Sequence, residues 1–260
     1  MVVLNRWAGL AVLLGGMALP AQAMELRLDV APVWWSYSES AGAITGVANT
    51  PLSSKVQGWG AESRLAMDGG FSDAKTGWRW SLDVRGLSSL KSRKENWVTA
   101  ISQQTNNFKV SEWEGRAGLG YAFERVKFGV WSSYMQHVQQ RSVFVVNGVP
   151  TPVAGEPVTE TVRVNWVGLN IYSRNQRGPD LATTLEVAAP VRIRVENPTV
   201  GQFRSKKGFA AMARIEWFAT SHLSLYGSYR MRRLGGETTA NRHWPENRWQ
   251  AASLGVAGIW

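Results

Sequence analysis

Histidine and serine are the residues whose spacing in this chain comes nearest to a catalytic arrangement. His222 and Ser224 are two positions apart, and Ser133 and His137 are four positions apart. A nucleophilic serine needs an adjacent base and a third group that orients the base. Neither pair has such a third group in the sequence around it. These residues therefore predict no hydrolytic centre.

Metal and cofactor chemistry has no better support. His243 lies in a predicted outer loop near Glu237 and Glu246, but no aspartate is close enough in sequence to form a catalytic Asp–His pair with it. The chain has three histidines and no cysteine, so a thiolate zinc site and a disulfide framework are excluded, and no carboxylates show ligand spacing. No glycine-rich phosphate loop follows a strand and opens a helix. We expect no enzymatic activity, no metal and no cofactor.

The elements that would position any functional residue are long segments in which apolar and polar residues alternate. From Leu181 to Glu196 the alternation persists for about sixteen residues, whereas a strand of a soluble protein usually has about five or six. Ten such segments are predicted, at residues 25–38, 55–68, 76–88, 108–122, 125–140, 158–173, 181–196, 207–218, 222–233 and 248–260.

Connections between these segments alternate between long and short. Residues 88–107, 139–158 and 234–247 form long connections, whereas 123–124 and 219–221 form short ones. Short periplasmic turns and long extracellular loops are typical of transmembrane barrels, in which a closed sheet satisfies every backbone polar group. The sequence therefore predicts an all-β protein, a single closed antiparallel transmembrane β-barrel of about ten strands.

Residues 143–149 leave the strand number open. Asn147 and Gly148 stand between Val146 and Val149 and predict a hairpin with a type I′ turn. In a ten-stranded barrel, strands five and six would project well beyond the membrane. In the alternative, this segment is an additional hairpin and the barrel has twelve strands.

The N-terminal residues resemble a secretory signal peptide. Arg6 supplies a positive charge, residues 7–19 are apolar, and Pro20 precedes the small-x-small pattern of residues 21–23. The apolar run is shorter than the roughly 20 residues that a membrane-spanning helix needs. The resemblance implies cleavage after residue 23, which would leave 24–260 as the barrel.

The last strand carries a second resemblance. Leu254, Val256, Gly258 and Trp260 lie on one face and end in an aromatic residue. This pattern resembles the C-terminal β-signal of Gram-negative outer-membrane proteins, although those proteins usually end in phenylalanine. The resemblance implies an outer-membrane location and recognition by the barrel assembly machinery, with Trp260 as the assembly signal.

The face opposite the lipid is rich in charges of both signs. Buried charges must pair or remain hydrated, so two hypotheses follow: a salt-bridged plug, or a narrow hydrated pore. An excess of arginine in the last four strands would give the pore a slight anion preference. The candidate lumen network consists of Arg79, Asp83, Arg85, Glu112, Glu114, Arg116, Glu186, Arg192, Arg194, Arg214, Glu216, Arg230 and Arg232.

Basic residues also fall in or beside the predicted outer loops. The net charge is +10, which we attribute either to contact with outer-membrane lipid and lipopolysaccharide phosphates or to solvated loop charge, rather than to nucleic acid. The candidate lipopolysaccharide contacts are Lys91, Arg93, Lys94, Arg204, Lys206 and Lys207.

The predicted function is a structural or surface-interaction barrel, or a narrow pore, without enzymatic activity. An adhesin that uses its long loops is one alternative, and an outer-membrane enzyme acting on lipid or peptide is another. An omptin-like protease would need paired aspartates, and no Asp-x-Asp occurs. A lipid A deacylase-like enzyme would use a His-x-Ser pair, which residues 222–224 resemble, but that pair follows a short turn and would lie at the periplasmic end. The sequence does not define an oligomeric state.

Overall fold

A computed structural model describes residues 24–41, 52–71, 76–98, 102–175, 180–198, 201–239 and 242–260. The predicted signal peptide lies outside these residues. The strands are β1 (Glu25–Ala41), β2 (Leu52–Gly70), β3 (Gly77–Ser89), β4 (Arg93–Val98), β5 (Gln103–Phe123), β6 (Val126–Val146), β7 (Val149–Pro150), β8 (Val158–Asn175), β9 (Leu181–Asn197), β10 (Gly201–Ser205), β11 (Gly208–Phe218), β12 (Leu223–Leu234), β13 (Glu237–Thr239), β14 (Arg242–Trp244) and β15 (Glu246–Ile259).

These strands close into an antiparallel barrel of ten wall positions, which confirms the predicted architecture. Two positions are interrupted. Both β3 and β4 pair with β2 and with β5, and both β10 and β11 pair with β9. Pairing of β1 with β15 closes the ring. At its end Leu26 and Trp260 exchange backbone hydrogen bonds of 2.9 Å each. No helix in the described part of the chain is long and apolar enough to span a membrane.

The connections at the two ends of the barrel differ as the sequence predicted. At one end, called the turn end, neighbouring wall strands are joined by short segments such as 124–125 and 219–222. The opposite end is called the loop end. There the prediction of a long loop over 88–107 is wrong, because β4 and the start of β5 pair with each other and continue the wall.

Residues 143–150 settle the choice between ten and twelve strands. Asn147 and Gly148 both have positive φ, 48° and 81°, as a type I′ turn requires. The turn joins β6 to the two-residue β7, which pairs only with the end of β6. The hairpin therefore extends an existing wall strand. Pairing of β6 with β5 continues up to Val146, whereas its pairing with β8 ends at Arg141, so strands four and five, rather than the predicted five and six, form the projection.

Two belts of outward-facing aromatic residues bound an apolar band on the wall. Trp78, Phe128, Trp217 and Trp260 are exposed near the turn end, and Trp59, Trp113, Tyr134 and Tyr229 form a belt toward the loop end. On β6 the two belts are six residues apart, about 20 Å along the strand. Two aromatic girdles that bound an apolar band are a feature of transmembrane barrels. The part of the barrel beyond the Tyr134 belt is called the collar.

Candidate functional site

Ion pairs span the part of the lumen surrounded by the apolar band. Arg116 on β5 binds both carboxylate oxygens of Glu186 on β9, at 2.6 and 2.8 Å. Arg230 on β12 pairs with Glu62 on β2. Because the partners lie on wall strands that are not neighbours, each pair ties distant parts of the wall together.

A second group of ion pairs lies closer to the turn end. The buried carboxylate of Asp29 receives Arg214 at 2.7 Å and Arg27 at 2.7 Å, and Arg64 stands 3.6 Å away. Arg64 also reaches Asp83 at 3.1 Å. Each of these two carboxylates therefore contacts more than one guanidinium group, so the ion pairs form a connected network.

The charges in the middle of the lumen nearly balance. Seven carboxylates (Asp29, Glu62, Asp83, Glu112, Glu114, Glu186, Glu216) share the interior with eight guanidinium groups (Arg27, Arg64, Arg79, Arg85, Arg116, Arg214, Arg230, Arg232). This near balance removes most of the positive excess on which the anion-preferring pore hypothesis rested.

Two predicted lumen residues, Arg192 and Arg194, do not lie in the lumen. The pairing of β8 with β9 shifts register between Asn165 and Trp166, which leaves Val191 as an additional residue on β9. A bulge of this kind reverses the alternation of the residues that follow. Ile193 and Val195 consequently point inward with no exposed surface, whereas the two arginines point outward.

Where the collar begins, apolar and aromatic side chains occupy much of the interior. Trp35 stacks on Trp249 with ring centroids 5.6 Å apart, and Phe108 packs against Trp35 at 6.1 Å. On the other side of the interior a larger cluster includes Trp131 and Trp166. Gly168 makes room for it, because a Cβ there would lie 2.5 Å from the Trp131 ring.

Above these rings a buried polar cluster lies within the collar. Glu95 has no exposed surface and accepts hydrogen bonds from Arg141 at 2.7 Å, Asn106 at 2.8 Å and Ser54 at 3.0 Å. Burial alone would raise the pKa of Glu95, but the Arg141 charge and these hydrogen bonds outweigh it and hold the pKa below its usual 4.5. This cluster was not predictable from the sequence, because the composition of residues 93–98 is typical of a loop.

Open space in the interior shrinks from the turn end toward the loop end. A polar cavity of about 420 Å³ opens at the turn end and is lined by residues that include Arg27, Arg79 and Glu216. The next space, beside Trp131 and Trp249, measures about 50 Å³. The space within the collar measures about 20 Å³, which accommodates about one water molecule. The described residues thus close the lumen at the collar.

The two His–Ser candidates do not form catalytic pairs. Ser224 is buried and donates to Glu216, while His222 contacts the Ile259 carbonyl oxygen at 3.0 Å. Ser133 donates to Glu114 at 2.6 Å. In each pair the serine hydroxyl is engaged by a carboxylate rather than by the imidazole.

His137 instead belongs to the packed interior. Its Nδ1 lies 2.9 Å from Glu112, and its ring meets Trp249 edge-on at 5.1 Å. Its side chain is about 6% exposed, so a macromolecular substrate could not reach it. The side chain of His243 lies outside the described residues.

The predicted surface contacts are exposed and lie at the loop end. Lys91, Arg93 and Lys94 lie where β3 gives way to β4, and Arg204, Lys206 and Lys207 lie where β10 gives way to β11. The two groups therefore occupy different sides of the barrel. Among the described residues, no three histidine or carboxylate side chains form a cluster that could hold a metal.

No protein-family model and no curated protein matches this sequence. Among solved structures, the outer-membrane protease OmpT from Escherichia coli aligns with a TM-score of 0.62 and 11% identity, over 94% of this chain and 99% of that one. The translocator domain of the autotransporter NalP from Neisseria meningitidis aligns with a TM-score of 0.39 and 10% identity, over 98% and 94%. Neisserial surface protein A gives 0.35 and 10%, over 90% and 96%. The first alignment shows that the two chains share a fold.

Proposed function

We propose that this protein is a closed, non-conducting barrel of the Gram-negative outer membrane that acts at the cell surface through its collar and loops. The observation that carries the proposal is the packed interior, in which ion pairs cross the lumen and aromatic rings fill the collar. The turn end would face the periplasm, since short turns lie on that side of bacterial barrels. Lipopolysaccharide and the assembly machinery are the proposed partners.

A pore would need a continuous hydrated path, and the collar offers space of only about 20 Å³. Salt-bridged and packed side chains would have to separate for ions to pass. Planar-bilayer recordings test this point directly. The reconstituted wild type should be silent, while its folded state is verified by a heat-dependent shift on a gel. Discrete conductance steps from folded protein would refute the closed-barrel proposal.

A matched variant shows whether an absence of conductance reflects a closed lumen. Trp35→Ala/Trp249→Ala removes the two stacked rings of the collar and leaves the ion pairs of the lower lumen in place. Because this double truncation opens space in the narrowest region, it should produce intermittent conductance in the same recordings. The comparison separates a closed lumen from protein that failed to insert.

The proposal includes no enzymatic activity, and the support is the engagement of the serines and the burial of His137. Folded protein should release no product from a peptide library or from radiolabelled outer-membrane lipids. Turnover that is lost in His137→Ala or His243→Ala would establish the enzyme alternative instead. Protease applied to intact cells should cut at the loop end, in the exposed segment 151–156, and spare 124–125.

A further inference from the structure

Three arginines form a row across neighbouring strands on the outside of the collar. Arg163 on β8 is directly opposite Arg194 on β9, and Arg194 is directly opposite Arg204 on β10. Adjacent strands are about 4.8 Å apart, so the row brings three positive charges within about 10 Å at their backbones. Arg192 lies on the same outward face two residues below Arg194.

Such a row weakens the sheet unless an anion lies between the charges, because like charges directly opposite each other are unfavourable. The protein supplies one carboxylate: Glu196 lies 2.6 Å from Arg163 and 3.0 Å from Arg194. One acid cannot neutralise four arginines. In addition, the Nε atom of Arg194 is buried and has no hydrogen-bond partner.

The row borders the apolar band. Val167 and Val191, 48% and 53% exposed, lie just below it on the same two strands. Arg163 donates a hydrogen bond to Tyr134, a member of the aromatic belt, and Arg163 is four residues above Val167, about 13 Å along the strand. Polar headgroups add roughly 5–8 Å to each side of the hydrocarbon core. On a tilted strand the guanidinium groups therefore lie at headgroup level.

We propose that Arg163, Arg192, Arg194 and Arg204 bind the phosphate groups of a phosphorylated lipid headgroup in the outer leaflet, that of lipopolysaccharide. Guanidinium groups bind phosphate through paired, charge-assisted hydrogen bonds, and the valines below the row would contact the acyl chains of the same lipid. This inference rests on the proposed location in the outer membrane. The bulge at Val191 creates the site, since it turns Arg192 and Arg194 outward.

Lipid binding to the detergent-solubilised full chain tests the site. The probes are diphosphoryl lipid A, the same lipid after removal of its phosphates, and inorganic phosphate. The test variant is Arg194→Gln/Arg204→Gln. The control is Lys55→Gln/Lys109→Gln, which removes two exposed outward charges from β2 and β5 on another side of the collar. Native mass spectrometry reports the bound fraction of each lipid.

Wild type and control should bind the diphosphorylated lipid at least about tenfold more tightly than its dephosphorylated form, and the test variant should lose about tenfold in affinity. Equal binding by the test variant and wild type would overturn the proposal. Competition by inorganic phosphate at the concentration of the lipid would overturn the assignment to a lipid. Heat modifiability and protease access on cells report separately on membrane insertion, so a failure of the outer-membrane proposal is distinguishable from failure of this site.

Discussion

Arg232 on β12 and Glu112 on β5 form an ion pair across the full width of the barrel. Their strands occupy the ninth and fourth of the ten wall positions, which are diametrically opposite. The Glu112 side chain is 2% exposed and also contacts His137 at 2.9 Å. The pair lies where the charged lumen meets the packed collar, so it joins the two layers that close the interior.

Glu112→Gln should lower the free energy of unfolding by about 3–5 kcal/mol, because Arg232 would remain buried without its counter-charge. Urea titration of folded protein in vesicles measures the loss. Arg248→Gln is the control, since Arg248 pairs with Glu246 at an exposed position and should change stability by no more than about 0.5 kcal/mol. Arg232→Met combined with Glu112→Gln should recover part of the loss. Equal losses of unfolding free energy in Glu112→Gln and Arg248→Gln would contradict the role of the buried pair.

The bulge at Val191 predicts opposite behaviour for two arginines that the sequence pattern treats alike. Arg230→Glu would place a carboxylate against Glu62 in the lumen and should cost about 3 kcal/mol or more. Arg192→Glu changes an exposed outward residue and should change stability by about 0.5 kcal/mol or less. Thermal unfolding of both variants in one detergent gives the comparison. Similar destabilisation by both would place Arg192 in the lumen after all.

The strands could be predicted from the sequence because period-two alternation and connection length are local properties. The inward positions of Arg116, Arg214 and Glu216 followed from the same alternation. The partner of each charge was not readable, because Arg116 and Glu186 meet only after the ring closes. The bulge was not readable either, because Val191 continues the apolar alternation and only its pairing with β8 shows the additional residue.

The collar shows a second limit of prediction from the sequence. Arg93, Lys94 and Glu95 are polar residues between β3 and β5, and on composition they indicate a loop. In the structure β4 continues the wall, and Glu95 is buried because Arg141 and Asn106 reach it from other strands. A polar residue whose burial depends on distant partners gives no local signal of that burial.

The collar cluster predicts a pH-dependent contribution to stability. The pKa of Glu95 is lowered in the folded protein, so its stabilising contribution is fully present above the unfolded-state value of 4.5. It is lost as the pH falls below 4.5 through the folded-state pKa. Glu95→Gln should therefore destabilise the protein by about 3 kcal/mol at pH 7.

The difference between wild type and Glu95→Gln should shrink toward zero as the pH falls from 4.5 through the lowered folded-state pKa of Glu95, because the wild-type carboxyl then becomes neutral. Urea midpoints across this range measure the difference. Glu124→Gln serves as the control, because Glu124 is an exposed carboxylate in the turn between β5 and β6 and should give no comparable loss at pH 7. A pH-independent difference for Glu95→Gln would show that packing, rather than ionisation, makes the residue important.

Trp260 is predicted to be required for assembly. This residue is 64% exposed on the outward-facing wall, and its backbone forms the closing hydrogen bonds with Leu26. Trp260→Phe should assemble normally, whereas Trp260→Asp and deletion of Trp260 should leave unfolded protein in the periplasm. The heat-modifiable fraction recovered in outer membranes is the measurement.

Trp217→Asp is the matched control, since Trp217 is an exposed aromatic of the same belt on an internal strand. If the two Asp variants fail equally, loss of a lipid-facing ring explains the defect. Failure confined to Trp260 would assign it to recognition of the last strand.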